Sequence, residues 1–156
     1  MAADGSSAAE REIVITRLVD APRDLVFKVW TDPEHVVHWW GPNGFTNTIH
    51  HMDVRPGGEW RLTMHGPDGT DYRNLFVFVE VDPPARVVYD HVSGPKLRGV
   101  MTFEEEGART RVTLRSTFET AELRNYAVET FGAIEGGNQT LARLDDYVSK
   151  MKVMKS

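Results

Sequence analysis

From Thr46 to Phe118 the chain is a succession of strand-length segments cut by turn-forming residues, and this run limits the fold more than any other feature. The segments are Thr46–Val54, Glu59–His65, Tyr72–Asp82, Arg86–Val92, Leu97–Glu105 and Arg109–Phe118. They alternate apolar and polar side chains or carry β-branched and aromatic ones throughout, as strands do. Between them stand Pro56-Gly57-Gly58, Gly66-Pro67-Asp68-Gly69, Asp82-Pro83-Pro84, Gly94-Pro95 and Gly107-Ala108. Such breaks join antiparallel neighbours, because a short connection cannot make the crossover that parallel strands need. Glu12–Val19 alternates in the same way and adds a seventh strand ahead of the run.

The flanks are helical. Pro22 opens a short helix carrying Leu25, Val26, Val29 and Trp30. Asp32-Pro33 repeats the device, with Asp32 as N-cap of a second short helix that ends near Trp40. From Thr120 to about Met151 the apolar residues Leu123, Ala127, Phe131, Ile134, Leu141, Leu144, Val148 and Met151 recur at helical spacing. Gly132, Gly136 and Gly137 interrupt this long helix, which predicts a kink or the close approach of something bulky. The order predicts an α+β fold, with a seven-stranded antiparallel sheet bent round a long C-terminal helix. A curved sheet does not pack tightly along the whole of a helix, so a cavity between the two is expected.

Residues 1–9 read as a polar tail and residues 10–156 as a single domain, with no internal repeat or linker. A chain of 156 residues buries a sufficient core without staples. It has no cysteine, which excludes disulfides, thiol catalysis and zinc–thiolate sites. The net charge of −5 with no basic block argues against nucleic acid and anionic membrane as partners. The first residues lack the apolar core of a signal peptide and no window is long enough to span a bilayer, so a cytoplasmic location is expected.

Taken together, four stretches resemble a known family: DAPRDLVFKVWTDPEHVVHWWGPNGFT, RPGGEWRLTMHGPDG, VEVDPPARVVY and TLARLDDYV. The chain resembles the START-like (SRPBCC) helix-grip superfamily. More narrowly, it is similar to bacterial homologues of the activator of heat-shock protein 90 ATPase. The resemblance runs from about Ile13 to Val148 and implies the helix-grip fold with a deep apolar cavity. It implies no one activity, since such a fold serves lipid carriers, cyclases, receptors and cochaperone domains. The chain departs from its relatives at Asn74-Leu75-Phe76, where they carry a glycine-bearing strand start; this is expected to reshape or narrow the pocket.

The candidate lining follows from the apolar stripes. Trp60 and Met64 share one strand face with Leu62, and Tyr72, Phe76 and Phe78 share another with Asn74. The opposite face of that strand, Leu75 to Val81, is also apolar, which predicts cover on both sides or a subunit contact. Trp30, Trp39, Trp40, Phe45 and Met101 supply further bulk, one ring of the Trp39-Trp40 pair filling the core and the other facing the cavity mouth or a partner. Phe118 should look at Phe131, Ile134 and Asn138 across the sheet–helix gap. Tyr89, His91, Glu135 and Asn138 are polar where the pattern expects burial, and each either orients a ligand or pairs within the core. For any one of the apolar residues plain core packing is the better explanation. Ligand binding is argued from the set.

No catalytic residue, metal or cofactor is assigned. His35 and His38 lie three apart on a helix, but no carboxylate completes a metal site, and His50 and His51 face opposite ways on their strand. No serine sits in a nucleophile elbow, and Gly66 to Gly69 is a hairpin turn. The leading expectation is a protein that binds a hydrophobic or amphipathic small molecule. Two others stand beside it: a cochaperone-like module that stimulates a heat-shock protein 90 ATPase, and a cyclase- or hydrolase-type enzyme using His91, Glu135 and Tyr89. Either a monomer or a homodimer is compatible with the pattern.

Overall fold

The computed structural model describes residues 7–94 and 96–155. The expected tail therefore lies outside the described residues up to position 6, as does Pro95 of the expected Gly94-Pro95 break. Ala8 and Ala9 of that tail fold instead into a helical turn, α1 (Ala8–Arg11), whose N-terminus is closed by a reciprocal Ser7–Glu10 capping box.

The elements that follow are β1 (Glu12–Val19), α2 (Arg23–Thr31), α3 (Pro33–Trp39), β2 (Thr46–Met52), β3 (Glu59–His65), β4 (Asp71–Asp82), β5 (Arg86–His91), β6 (Leu97–Glu106), β7 (Arg109–Phe118), α4 (Ala121–Phe131) and α5 (Ala133–Lys155). Seven strands form one sheet in the order β1-β7-β6-β5-β4-β3-β2. Every neighbouring pair is antiparallel. β1 and β2 are thus consecutive in the chain but lie at opposite edges, and α2 and α3 carry the chain between them. The α+β helix-grip architecture expected from the sequence is the one observed.

Local chemistry sets the boundaries. The Asp32 side chain accepts from Glu34 N at 3.0 Å to start α3, and Thr120 accepts from Leu123 N at 3.1 Å to start α4. One side of α5 presents Leu141, Leu144 and Val148, each 0% exposed, at the spacing that puts them on one helical face. They meet Ile13, Ile15, Met101, Phe103, Val112 and Leu114 from the sheet in one continuous core.

Two expectations are corrected here. The C-terminal helix is not continuous: Gly132 takes a left-handed conformation (φ 61°), caps α4, and starts α5 on a new phase. The positions that face inward from α5 are Ala133, Gly137, Thr140, Leu141, Leu144 and Val148, whereas Phe131 (60% exposed), Ile134, Glu135 and Asn138 face outward. Gly137 supports the close approach that was expected, since a Cβ there would stand 2.9 Å from Ile15 Cγ1. The second correction concerns β4. Its outward row of Leu75, Val77 and Val81 is half-buried and Val79 is exposed, so the chain itself does not cover both faces.

Candidate functional site

Packed against the sheet is an aromatic cluster built from five elements. Trp30 of α2 lies at the centre, 5.9 Å from Trp40, 5.8 Å from Trp60 and 5.7 Å from Tyr89. Trp60 on β3 stacks on Phe76 of β4 at 4.6 Å, and Phe76 in turn meets the edge of Tyr89 at 5.3 Å. Trp39 and Trp40, at the end of α3, point different ways. Trp39 is 1% exposed and locked into the core, while Trp40 turns its ring to a cavity.

That cavity is an inner chamber of about 330 Å³ between sheet and helix. Its walls are Trp40, Gly41, Pro42, Met64, Phe76, Tyr89, Leu97, Leu114 and Ala133, with Asn74, His91, Ser116 and Thr140 as the polar members. Pro42, Met64 and Asn74 also line an outer chamber of about 640 Å³, so the two adjoin. The outer chamber opens between the Trp40–Phe45 loop and the α4–α5 junction and is lined further by Phe45, Tyr72, Thr130, Phe131, Gly132, Glu135, Gly136 and Gln139. At the other end, His91 and Leu97 are shared with a depression of about 650 Å³ that includes Phe118, Arg11 and Lys96.

Of the residues expected to line a site, the structure brings Trp40, Met64, Phe76, Tyr89 and His91 to the inner chamber. Phe45, Tyr72, Phe131 and Glu135 stand at the outer one. Trp30, Trp39, Trp60, Phe78 and Met101 are core residues behind the wall, each at most 1% exposed. Phe118 is buried at the far depression, and Asn138 turns outward and donates to Ile134 O at 3.1 Å. The burial expected of Glu135 and Asn138 is corrected: both are exposed because the break at Gly132 rotates α5.

The polar groups are arranged in a chain. His91 Nε2 donates to Asn74 Oδ1 at 2.8 Å and lies 3.3 Å from Ser93 Oγ, which accepts from Leu75 N. The His91 ring packs at a tilt against Phe76, with centroids 4.8 Å apart. Asn74 thus fixes the imidazole. Asp90 faces away and pairs with Arg98 at 2.8 Å, so Asp90 and His91 do not act together. Tyr89 is 3% exposed, and burial holds its phenol proton well above the usual tyrosine range. His35 and His38 both meet Tyr147, the first by a 2.8 Å hydrogen bond and the second by stacking at 5.7 Å.

Arg143 of α5 was not singled out from the sequence, yet it holds the loop that forms one wall. Its guanidinium donates to five main-chain carbonyls of the mouth loop: His38, Trp40, Gly41, Pro42 and Phe45, at 2.8 to 3.4 Å. Gln139 adds a bond from Asn43 N at 3.0 Å. The loop that carries Trp40, Pro42 and Phe45 into the chambers is therefore tied to α5 by a fixed fork.

No curated protein matches the chain in sequence. Solved structures do. A protein from Arthrobacter aurescens is 26% identical with a TM-score of 0.85, over 93% of this chain and 90% of that one. A protein from Nitrosomonas europaea is 25% identical with a TM-score of 0.83, over 93% and 98%. A Mycobacterium smegmatis protein is 27% identical with a TM-score of 0.80, over 90% and 91%. Among the described residues no helix is long and apolar enough to cross a membrane. With the helix-grip sheet, its cavity and a family model that matches residues 20–149, the chain belongs to the family described as Activator of Hsp90 ATPase homolog 1-like protein.

Proposed function

We propose that this protein binds a hydrophobic or amphipathic small molecule between the sheet and α5. The observation that carries the reading is the pair of adjoining chambers of about 330 and 640 Å³, joined at Pro42, Met64 and Asn74. Sizes in this range suit small organic ligands, and mostly apolar walls with few convergent polar groups are what such sites use. The inner wall supplies aromatic faces from Trp40, Phe76 and Tyr89, and the outer chamber leaves room for a longer or more polar portion of the same molecule. The walls are held from behind, by the tryptophan cluster on one side and by Arg143 on the other, so little ordering accompanies binding.

The test is a comparison of native and denaturing mass spectra of freshly purified protein, followed by melting with a panel of lipophilic compounds. The expected result is an added mass that departs on denaturation, or a melting temperature that rises with ligand as RT ln(1 + [L]/Kd) requires. A clean apo mass together with a melting temperature indifferent to every compound would sink the reading.

A further inference from the structure

Three strands of the sheet align one row across the floor of the inner chamber. Tyr89 on β5 pairs with Gly99 on β6, and Gly99 pairs with Ser116 on β7. Gly99 has no side chain, and the tyrosine fills the space: a Cβ at position 99 would lie 2.3 Å from Tyr89 Cζ and 2.6 Å from its hydroxyl oxygen. The phenol therefore lies across β6 towards Ser116, and both residues line the chamber. A glycine inside a strand marks this kind of close approach.

The other polar side chains of the chamber are engaged. Thr140 donates to Gly136 O at 2.8 Å. Asn74 donates to Tyr72 O at 3.2 Å and accepts from His91 at 2.8 Å. The hydroxyls of Tyr89 and Ser116 are different, because no described residue hydrogen-bonds either of them. Tyr89 is 3% exposed as a whole, but its hydroxyl is not among the fully buried unpaired atoms. It faces the open space of the chamber, where an incoming oxygen can pair with it. No Lys, Arg, Asp or Glu lines the chamber among the described residues, and an isolated charge would be strongly disfavoured against these apolar walls.

We propose that the Tyr89–Gly99–Ser116 row is a head-group subsite, taking one neutral hydroxyl or carbonyl on a compact aromatic or alicyclic ligand. Tyr89 donates to that oxygen, and Ser116 donates to it or accepts from it. This deepens the cavity reading and rests on it.

The experiment is equilibrium dialysis with β-naphthol and β-methylnaphthalene, two probes of similar shape that differ in one hydroxyl. In an apolar box the methyl compound binds more tightly, because the hydroxyl loses water without compensation. The readout is the ratio of the two dissociation constants in the wild type, Tyr89→Phe and Ser116→Ala. Tyr89→Phe should move that ratio about 3- to 10-fold towards the methyl compound, with methylnaphthalene itself bound as before. Ser116→Ala should move it the same way by a smaller factor, and it stands in if the tyrosine variant does not fold. A ratio identical in all three proteins overturns the subsite while leaving the cavity reading intact. If neither probe binds the wild type, a subsite for compact aromatic ligands is overturned, while the cavity reading is decided by the mass spectra and the wider panel of lipophilic compounds.

Discussion

The indole Nε1 of Trp39 donates to the main-chain carbonyl of Val29 at 3.2 Å. In a continuous helix that carbonyl would accept from the N–H of residue 33, which here is proline and has none. The proline that starts α3 therefore orphans a carbonyl of α2, and a side chain six residues further on satisfies it. Trp30 and Trp60 bury indole N–H groups that find no partner. Trp39→Phe and Trp60→Phe remove the same atoms from equally buried sites, but only the first exposes an unmet acceptor. Trp39→Phe should be more destabilising than Trp60→Phe by about 1–3 kcal/mol, measured by urea unfolding. Equal losses would show that the Val29 carbonyl is not dependent on Trp39.

Arg143 makes a second prediction. Burial lowers its pKa from the usual value, but a guanidinium stays charged at any ordinary pH, and no carboxylate among the described residues pairs with it. Its charge is met by carbonyl dipoles alone. Arg143→Lys keeps the cation and loses the planar fork. It should lower stability by about 1–3 kcal/mol and speed amide exchange at Asn43 and Phe45. If those amides exchange at the wild-type rate, the loop is held by its own turn rather than by α5.

Why Arg143 escaped the sequence reading has a physical answer. Arg143-Leu144-Asp145-Asp146 looks like a solvated helix face, with a carboxylate three residues away to pair locally. Asp145 and Asp146 instead pair with Arg17 and Lys150, and the partners of Arg143 lie 98 to 105 residues back in the chain. No local pattern encodes such a contact. The strands were legible because turn residues and a period of two are local, and β1, β3 and β7 begin and end where alternation placed them. Tyr89 and Trp40 were found because a large ring among apolar neighbours signals the interior. Gly99 carried a signal that was available, a glycine inside a strand, but its meaning depended on which strand lay alongside. Phe131, Ile134 and Asn138 were placed inward because the apolar period was run through Gly132 as if the helix did not stop.

Gly132 gives a prediction whose sign separates the two readings. In an unbroken helix, replacing glycine by alanine stabilises by roughly 1 kcal/mol. At a left-handed cap the same change is unfavourable, because the Cβ crowds the following carbonyl. With φ at 61°, Gly132→Ala should destabilise by about 1 kcal/mol, and Gly132→Asn should cost less. The urea midpoint of each variant measures it, and a raised midpoint for alanine would restore the continuous helix.

Tyr89 links burial to pH. Its folded pKa is raised by burial above the ordinary tyrosine value of about 10. Above that pH the unfolded chain gives up a phenol proton that the folded chain retains, so deprotonation favours unfolding. The contribution is intact below about pH 10 and is lost as the pH climbs towards the folded value, by about 1.4 kcal/mol per pH unit. Other groups titrate in this range, so the informative quantity is the difference between the wild type and Tyr89→Phe. That difference in unfolding free energy should be flat up to about pH 9 and then turn against the wild type as the pH rises. Curves that stay parallel through the alkaline range would mean that water reaches the phenol in the folded protein, and that the inner chamber is open at its floor.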